Sequence, residues 1–279
     1  MVMVVAFGPS VLFAAEENGN SEVTVITKDR YTFESHVDHM SGTVSVNQSD
    51  LDVKYEAKAF GKLPVSVWLD YKHLDINENI PVDLPPSLYG RRFGVGTKFP
   101  VPFVSFDKYF MAVDVMPSWY SDNTVFTRSS FRLPVRTYLI YKPSETFVFI
   151  AGAQVDTEAD SPVFPVIGFN YQPNDRLDFQ LASTEPTITY KLNDHWAVYM
   201  EYDAKLDEYM LTHADQKDRV LKVREAAVGG GLKFRIDTRL EASLVAGLNT
   251  WRRFSYSDEV GKVDVNSAPY IKARFSVRF

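Results

Sequence analysis

The amino-acid sequence predicts an all-β protein, a closed antiparallel up-and-down transmembrane β-barrel of about fourteen strands, with twelve strands as the alternative count. Three observations predict this fold. Apolar and polar residues alternate along most of the chain, and short turns alternate with longer polar loops. No apolar run after Ala15 is long enough to form a membrane-spanning helix. Each strand can therefore present one face to lipid and the other to a wet interior.

The first residues are expected to form a targeting signal. Residues 1–15 are an apolar stretch too short to span a bilayer as a helix, and the acidic pair Glu16-Glu17 follows at once. We predict a signal peptide over residues 1–15, a short N-terminal segment over 16–22 and the transmembrane barrel over 23–279. A buried N-terminal strand over the first fifteen residues is the alternative.

Composition narrows the class of protein and its partners. Hydrophobic residues make up 45% of the chain and aromatic residues 14%, so a large apolar surface has to be accommodated. A pI near 5.4 and a formal net charge of −6 argue against nucleic acid as a partner. The absence of cysteine fits an exported protein built without disulfides.

Alternation with a period of two residues defines the individual strands. Even positions are apolar from Trp196 to Leu206, whereas Glu201 and Asp203 stand at odd positions. Counting such segments from residue 23 onward gives about fourteen strands, and an even number places both ends of the barrel on one rim. Residues 177–181 and 187–192 are short for a membrane crossing, which is why twelve strands is also considered.

The final strand indicates which alternating residues face lipid and which face the interior in the predicted barrel. Phe275, Val277 and Phe279 alternate with Arg274 and Arg278, so the charged face needs water. A soluble β-sandwich could also alternate in this way. Aromatic residues near strand ends favour the barrel, because they would lie at the two membrane interfaces: Trp119, Tyr120, Tyr141, Tyr171, Trp196, Trp251, Tyr256 and Phe279.

Residues 171–202 are similar to a family of predicted outer-membrane barrels of no assigned function. The terminal Phe279 also resembles the signal that the barrel assembly machinery reads in bacterial outer-membrane proteins. These resemblances imply a place in the outer membrane of a Gram-negative bacterium, with outer-membrane lipid and the assembly machinery as partners. A monomer is expected, and no reaction is implied.

If the apolar faces meet lipid, the inward faces carry charges of both signs. Such a polar interior predicts a passive, porin-like transport channel for small polar solutes. The alternative is a closed structural barrel, in which the charges pair across the lumen and block it. The predicted channel-lining residues are Arg92, Lys98, Asp114, Arg132, Arg136, Glu201, Asp203, Lys205, Glu225, Lys233, Arg235, Glu241, Lys272, Arg274 and Arg278.

Three histidines near predicted extracellular loops suggest another alternative, a barrel enzyme or binding protein with a site on the rim. His36, His73 and His213 each have an aspartate two residues further along the chain. A histidine paired with a carboxylate can act as a general base or bind a metal. The sequence has no GxSxG or HExxH motif, so we expect no enzyme, no cofactor and no metal site.

Overall fold

The computed structural model describes residues 21–59, 63–101, 108–156, 162–183, 185–212, 219–257 and 261–279. Every regular element within these ranges is a β-strand. No helix in this part of the chain is long and apolar enough to cross a membrane. The predicted signal peptide, residues 1–15, lies outside the described residues, as does the predicted N-terminal segment up to residue 20.

The described residues form seventeen strand segments in a single sheet. In chain order the segments are β1 Glu22–His36, β2 Thr43–Ala59, β3 Leu63–Glu78, β4 Ser87–Pro100, β5 Tyr109–Val115, β6 Ser118–Ser121, β7 Phe131–Arg132, β8 Val135–Ser144, β9 Phe147–Val155, β10 Val163–Tyr171, β11 Leu177–Gln180, β12 Thr187–Lys191, β13 Trp196–Met210, β14 Val220–Arg235, β15 Leu240–Tyr256, β16 Lys262–Val265 and β17 Ala268–Arg278.

Fourteen strands cross the wall, because three pairs of segments are the two halves of one crossing. Pro117 separates β5 from β6 and Pro134 separates β7 from β8, since proline has no N–H for the ladder. A two-residue break likewise separates β16 from β17. β1 pairs antiparallel with β17, with Thr24 beside Arg278, so the sheet closes on itself. The predicted barrel of about fourteen strands is confirmed, and the alternative count of twelve is wrong.

The outer face of the wall is apolar, which decides against a soluble sandwich. Met200, Leu244 and Ile167 point outward and are 60%, 62% and 53% exposed. In a soluble protein, burying each side chain of this kind would stabilise the fold by about 1.5–3 kcal/mol. Lipid supplies an equivalent apolar environment without burial inside the protein.

Aromatic pairs stand at both ends of this apolar face. We call the rim that carries both ends of the barrel the turn end, and the opposite rim the loop end. Trp196 packs on Phe234 near the turn end, with ring centroids 4.6 Å apart. Trp119 packs on Phe131 near the loop end at 5.1 Å. Such rings are typical of the two membrane interfaces.

A β-bulge in β15 changes which residues face the lumen. The pairing of β15 with β14 shifts between Ala226 and Ala227, where Thr250 is an extra residue. Before the bulge, odd residues of β15 point inward; after it, even residues do, so Arg252 and Phe254 are buried in the interior. Bulges re-aim side chains in this way because two residues oppose one on the partner strand.

The hairpin formed by β11 and β12 covers only the turn end of the wall. The two strands have four and five residues, and the chain then turns into the lumen. The Leu181 N–H donates to the Phe169 carbonyl at 2.8 Å, and the Tyr202 N–H donates to the Pro186 carbonyl at 3.0 Å. We call residues 181–183 and 185–186 the inner tip.

Candidate functional site: the barrel lumen

The residues that line the lumen become more buried from the turn end to the loop end. Along β2 the inward residue Lys58 is exposed at the turn end, and Asp52 is partly buried further in. Gln48, Val46 and Val44 then follow toward the loop end and are all buried. The lumen is therefore a polar vestibule at the turn end and a packed interior at the loop end.

A hydrophobic core fills the lumen at the loop end. It is built from inward residues of seven strand segments, from Leu84 in the connection between β3 and β4, and from Val37 and Leu211 just beyond the ends of β1 and β13. Burial of this much apolar surface stabilises the closed arrangement and excludes water. Its fully buried members include Val44, Val46, Leu88, Tyr209, Leu211, Leu221, Phe254 and Val263.

Residues 79–86, which we call the mouth loop, fold into this core. Leu84 is buried in it, and Ile80 and Val82 pack against it. The Tyr256 hydroxyl donates to the Asp83 carbonyl at 2.7 Å, which ties the loop to the inner wall. The mouth loop therefore occupies the space through which an axial solute path would have to pass.

Below the core lies a buried network of ion pairs, the central ion network. Arg30 contacts Asp203 at 3.1 Å and Glu225 at 3.0 Å, and Lys205 contacts the same two carboxylates at 2.7 and 3.4 Å. Arg252 donates to Glu225 Oε2 from Nη2 at 2.6 Å and from Nε at 3.0 Å. Charges buried this deeply are tolerated because each has an oppositely charged partner.

Tyr270 joins this network to the wall strand β17. Its hydroxyl donates to Glu201 at 3.1 Å, and the Arg30 guanidinium lies 4.3 Å from the centre of its ring. Lys272 contacts the same Glu201 carboxylate at 2.6 Å. The network thus extends without a break from β1 across β13 and β14 to β17.

Glu185 of the inner tip reaches across the lumen to three cations on the wall. Its carboxylate lies 2.9 Å from Lys28 Nζ, 3.8 Å from Lys272 Nζ and 3.8 Å from Arg274 Nη1. Lys28 and Arg274 face each other across the closing seam of β1 and β17. A residue between two strands, rather than a strand residue, therefore supplies the acidic partner here.

The side of the lumen formed by β5 and β7 to β10 is mainly apolar. Arg136 donates to Gln154 at 3.1 Å and lies 3.9 Å from Asp114. Arg132 contacts Glu208 at 2.9 Å and Asp156 at 3.8 Å. The surrounding apolar cluster consists of Ala112, Tyr138, Ile140, Val148, Ile150, Val166 and Ala182.

The vestibule at the turn end carries more exposed ion pairs. Lys98 lies over the Phe110 ring, with Nζ 5.4 Å from its centre. Several ion pairs join partly exposed side chains in the vestibule. Partly exposed pairs contribute little to stability, and their charges stay accessible to solutes. These pairs include Arg92 with Asp70 at 3.2 Å, Lys233 and Arg235 with Glu241 at 3.4 and 3.9 Å, and Arg278 with Glu22 at 2.9 Å.

A family model for a domain of unknown function, DUF6268, matches residues 14–278. The chain belongs to this family. This family match agrees with the resemblance found from the sequence, which is to a family of barrels without an assigned function. A comparison with curated proteins finds no match.

Solved structures with a similar fold are outer-membrane proteins, all with low identity. The COG4313 outer membrane channel from Pseudomonas putida F1 is 7% identical, with a TM-score of 0.49 and coverage of 97% of this chain and 99% of that one. The Pseudomonas putida toluene transporter TodX is 11% identical, with a TM-score of 0.46 and coverage of 99% and 92%. A Pseudomonas aeruginosa FadL homologue is 11% identical, with a TM-score of 0.42 and coverage of 93% and 89%.

The structure places the fifteen predicted channel-lining residues on the inner side of the wall, in separate groups. Arg132 and Arg136 belong to the apolar side, whereas Lys272 and Arg274 lie beside the inner tip. Their role in conducting solutes stays a prediction. Phe279 lies beside Val23, whose carbonyl accepts its N–H at 2.8 Å, and its role as an assembly signal also stays a prediction.

Several residues of the lumen are absent from the sequence-based prediction, among them Lys28, Arg30, Arg252 and Glu185. Lys28 and Arg30 lie on β1, whose apolar and polar residues do not alternate cleanly. Arg252 lies beyond the bulge at Thr250, which reverses the parity of β15. Glu185 lies in a connection, where alternation carries no information about direction.

The three rim histidines are in different surroundings. His36 is exposed at the end of β1. His73 Nε2 lies 3.1 Å from Asp75 on the outer face of β3, and its ring stacks on Tyr89 at 4.7 Å. His213 lies outside the described residues. Within the described part of the chain no cluster of three potential metal ligands occurs. The expectation that the protein is not an enzyme stays a prediction.

Proposed function

We propose that this protein is a channel of the bacterial outer membrane for small polar solutes, closed at its loop end in the conformation described above. The observation that carries the proposal is the polar vestibule, which leads from the turn end to the central ion network. Burying and pairing so many charges is costly compared with apolar packing. The loop end demonstrates that this chain can fill its lumen with apolar residues, so the retained charges suggest a path for polar solutes.

The apolar outer face and its aromatic pairs support a place in a membrane. A closed barrel is one of the two ways in which a chain can cross lipid with its backbone polar groups paired. Following the usual orientation of such barrels, we assign the turn end to the periplasm and the loop end to the exterior. Recovery of the protein from the inner-membrane or soluble fraction of a sucrose gradient would contradict its proposed place in the outer membrane.

Opening requires the mouth loop to leave the apolar core. Leu84, Ile80 and Val82 hold the loop there by apolar contact. The hydrogen bond from Tyr256 to the Asp83 carbonyl and two backbone hydrogen bonds at Asn79 and Pro86, the ends of the loop, add to these contacts. No covalent link or continuous strand pairing has to break for this loop to move. We therefore assign the closing element of the proposed channel to the mouth loop.

A closed structural barrel is the second candidate, and the apolar core at the loop end favours it. Val44, Leu88, Tyr209 and Phe254 have at most about one percent of their surface exposed. A core packed to this degree is typical of permanent protein interiors. In that case the central ion network would serve only to fill and fix the lumen.

Planar-bilayer recording distinguishes the two candidates. Refolded wild-type protein should give infrequent conductance steps, and Leu84→Asp should give more frequent ones, because a buried charge destabilises the closed mouth. Val125→Asp is the matched control, since Val125 is 64% exposed outside the core and should leave the recording unchanged. If all three proteins fold, as judged by heat-modifiable gel mobility, and none conducts, the channel is rejected in favour of the structural barrel.

A further inference from the structure

We infer that Lys28, Lys272 and Arg274 form a binding site for small carboxylate anions in the lumen, and that Glu185 occupies this site as an internal ligand. A role of this site in transport rests on the proposed channel function, whereas anion binding does not. The class of solute that the channel would take is organic anions with a single exposed carboxylate.

The carboxylate of Glu185 is brought to the cations by the inner tip, not by the wall. The tip is anchored at its base, where the Ala182 N–H donates to Asn170 Oδ1 at 3.3 Å and Ser183 Oγ donates to the Glu185 carbonyl at 2.5 Å. Gly168 allows the close approach, because a Cβ at this position would lie 2.5 Å from Ala182 Cα. The three cations, in contrast, are fixed on β1 and β17 at the closing seam.

The charges around the site balance only when Glu185 is present. Lys28 also contacts Asp52 at 3.2 Å, and Lys272 also contacts Glu201 at 2.6 Å. Arg274 has Glu185 as its ion-pair partner among the described residues, and its buried Nε has no hydrogen-bond partner there. Without Glu185, three cations would face two carboxylates, which leaves a net charge of one positive unit for a monoanion.

The distances indicate a site that can exchange its ligand. Glu185 lies within hydrogen-bonding distance of Lys28 only, at 2.9 Å, and both other cations are 3.8 Å away. An incoming carboxylate could therefore make equal or shorter contacts with the same three groups. Lysine and arginine groups converging on one point are the usual protein solution for binding a carboxylate.

Rescue by acetate tests the site without using conductance. Acetate has the same anionic group as the Glu185 side chain and should fill the space left in Glu185→Ala. We expect acetate, at about ten times its Kd, to raise the thermal midpoint of this variant by about 3 °C relative to chloride at equal ionic strength. The wild type and Glu145→Ala should show no such difference, because the Glu145 side chain is 90% exposed in a turn.

Two outcomes of this experiment are decisive. A midpoint of Glu185→Ala that responds equally to acetate and chloride overturns the inference. If the variant folds only when acetate is present during refolding, the site is supported. Glu185→Gln keeps the shape of the side chain and provides a second folded variant without the charge.

Ion selectivity then separates the inference from the proposed function. In a potassium chloride gradient, Glu185→Gln should shift the reversal potential toward that of chloride relative to wild type and to Glu145→Gln. Acetate rescue without conductance in any folded variant rejects the channel and keeps the binding site. Conductance with unchanged selectivity and no acetate effect rejects the site and keeps the channel.

Discussion

Arg132 and Glu208 form an ion pair at 2.9 Å on a face of β13 that the strand alternation assigns to the outside of the barrel. The even residues Met200 and Tyr202 of the same strand are exposed to lipid, but Glu208 is only 8% exposed. The cause is β6, whose residue Ser121 bridges to Met210 of β13 and closes a narrower ring at the loop end. Arg132 of β7 and Asp156, just beyond β9, then lie against the outer side of this ring.

We predict that Arg132→Leu destabilises the folded barrel by about 3–5 kcal/mol, because it removes the cation that the buried Glu208 carboxylate contacts at 2.9 Å. Glu208→Leu should cost less, since Asp156 remains near Arg132 at 3.8 Å. The double variant should recover part of the loss, as apolar replacements of buried pairs often do. Urea titration of the refolded proteins measures this order, and equal losses in both single variants would contradict it.

Gly168→Ala should displace the inner tip and destabilise the barrel by about 1–3 kcal/mol, as overpacking does. The new methyl group would lie 2.5 Å from Ala182 Cα and 2.6 Å from the Leu181 carbonyl oxygen. Gly230→Ala is the control, because its nearest neighbour would be 3.8 Å away on the outer face. Thermal gel-shift midpoints check the prediction, and a larger loss for the control than for Gly168→Ala would argue against it.

Deletion of Thr250 should still give a folded barrel, because Thr250 is the extra residue of the bulge and has no partner on β14. After the deletion Asn249 directly precedes Trp251, so both residues keep their partners Ala227 and Ala226, and Arg252 and Phe254 still point inward. Thr250→Ala keeps the residue count and loses only one hydrogen bond to the Ala226 carbonyl, so it should fold with a loss of about 1 kcal/mol. The refolding yield of the two variants into detergent micelles tests the prediction, and failure of the deletion variant to fold while Thr250→Ala folds would contradict it.

Tyr256→Phe should loosen the mouth loop without changing the shape of the core. The variant removes the hydroxyl that donates to the Asp83 carbonyl at 2.7 Å, which lowers the stability of the closed mouth by about 0.5–1.5 kcal/mol. Under the proposed function, bilayer recordings should then show a two- to tenfold higher open probability. Tyr190→Phe on the outer face is the control, and a similar increase there would point to a general effect on the wall.

The sequence predicts the wall of this barrel well because one rule governs every strand. Lipid outside and a separate environment inside impose the same alternation on residues as distant as Phe275 and Met200. The rule fails where an extra residue such as Thr250 reverses the parity, since nothing in the composition of β15 marks that position. It also cannot reveal that Glu208 is covered, because this depends on the bridge between Ser121 and Met210.

The contents of the lumen are harder to predict than its wall. Alternation identifies which charges face inward, such as Lys272 and Arg274, but not which partners they meet. Glu185 and Leu84 enter the lumen from connections, where direction depends on the path of the chain and not on a period. A polar inward face therefore predicts an open passage or a barrel closed by charge pairs, and neither prediction includes the apolar core at the loop end.

The pairing of β1 with β17 also means that the barrel closes only after its last strand has been synthesised. Val23 and Phe279 exchange N–H donors across this junction at 3.2 and 2.8 Å, so the two ends of the barrel sequence must meet before either is satisfied. Until that moment the growing sheet has two free edges, each a template for pairing with another chain. Contacts that span nearly the whole sequence also form slowly. The risk of aggregation is therefore greatest just before β17 pairs with β1.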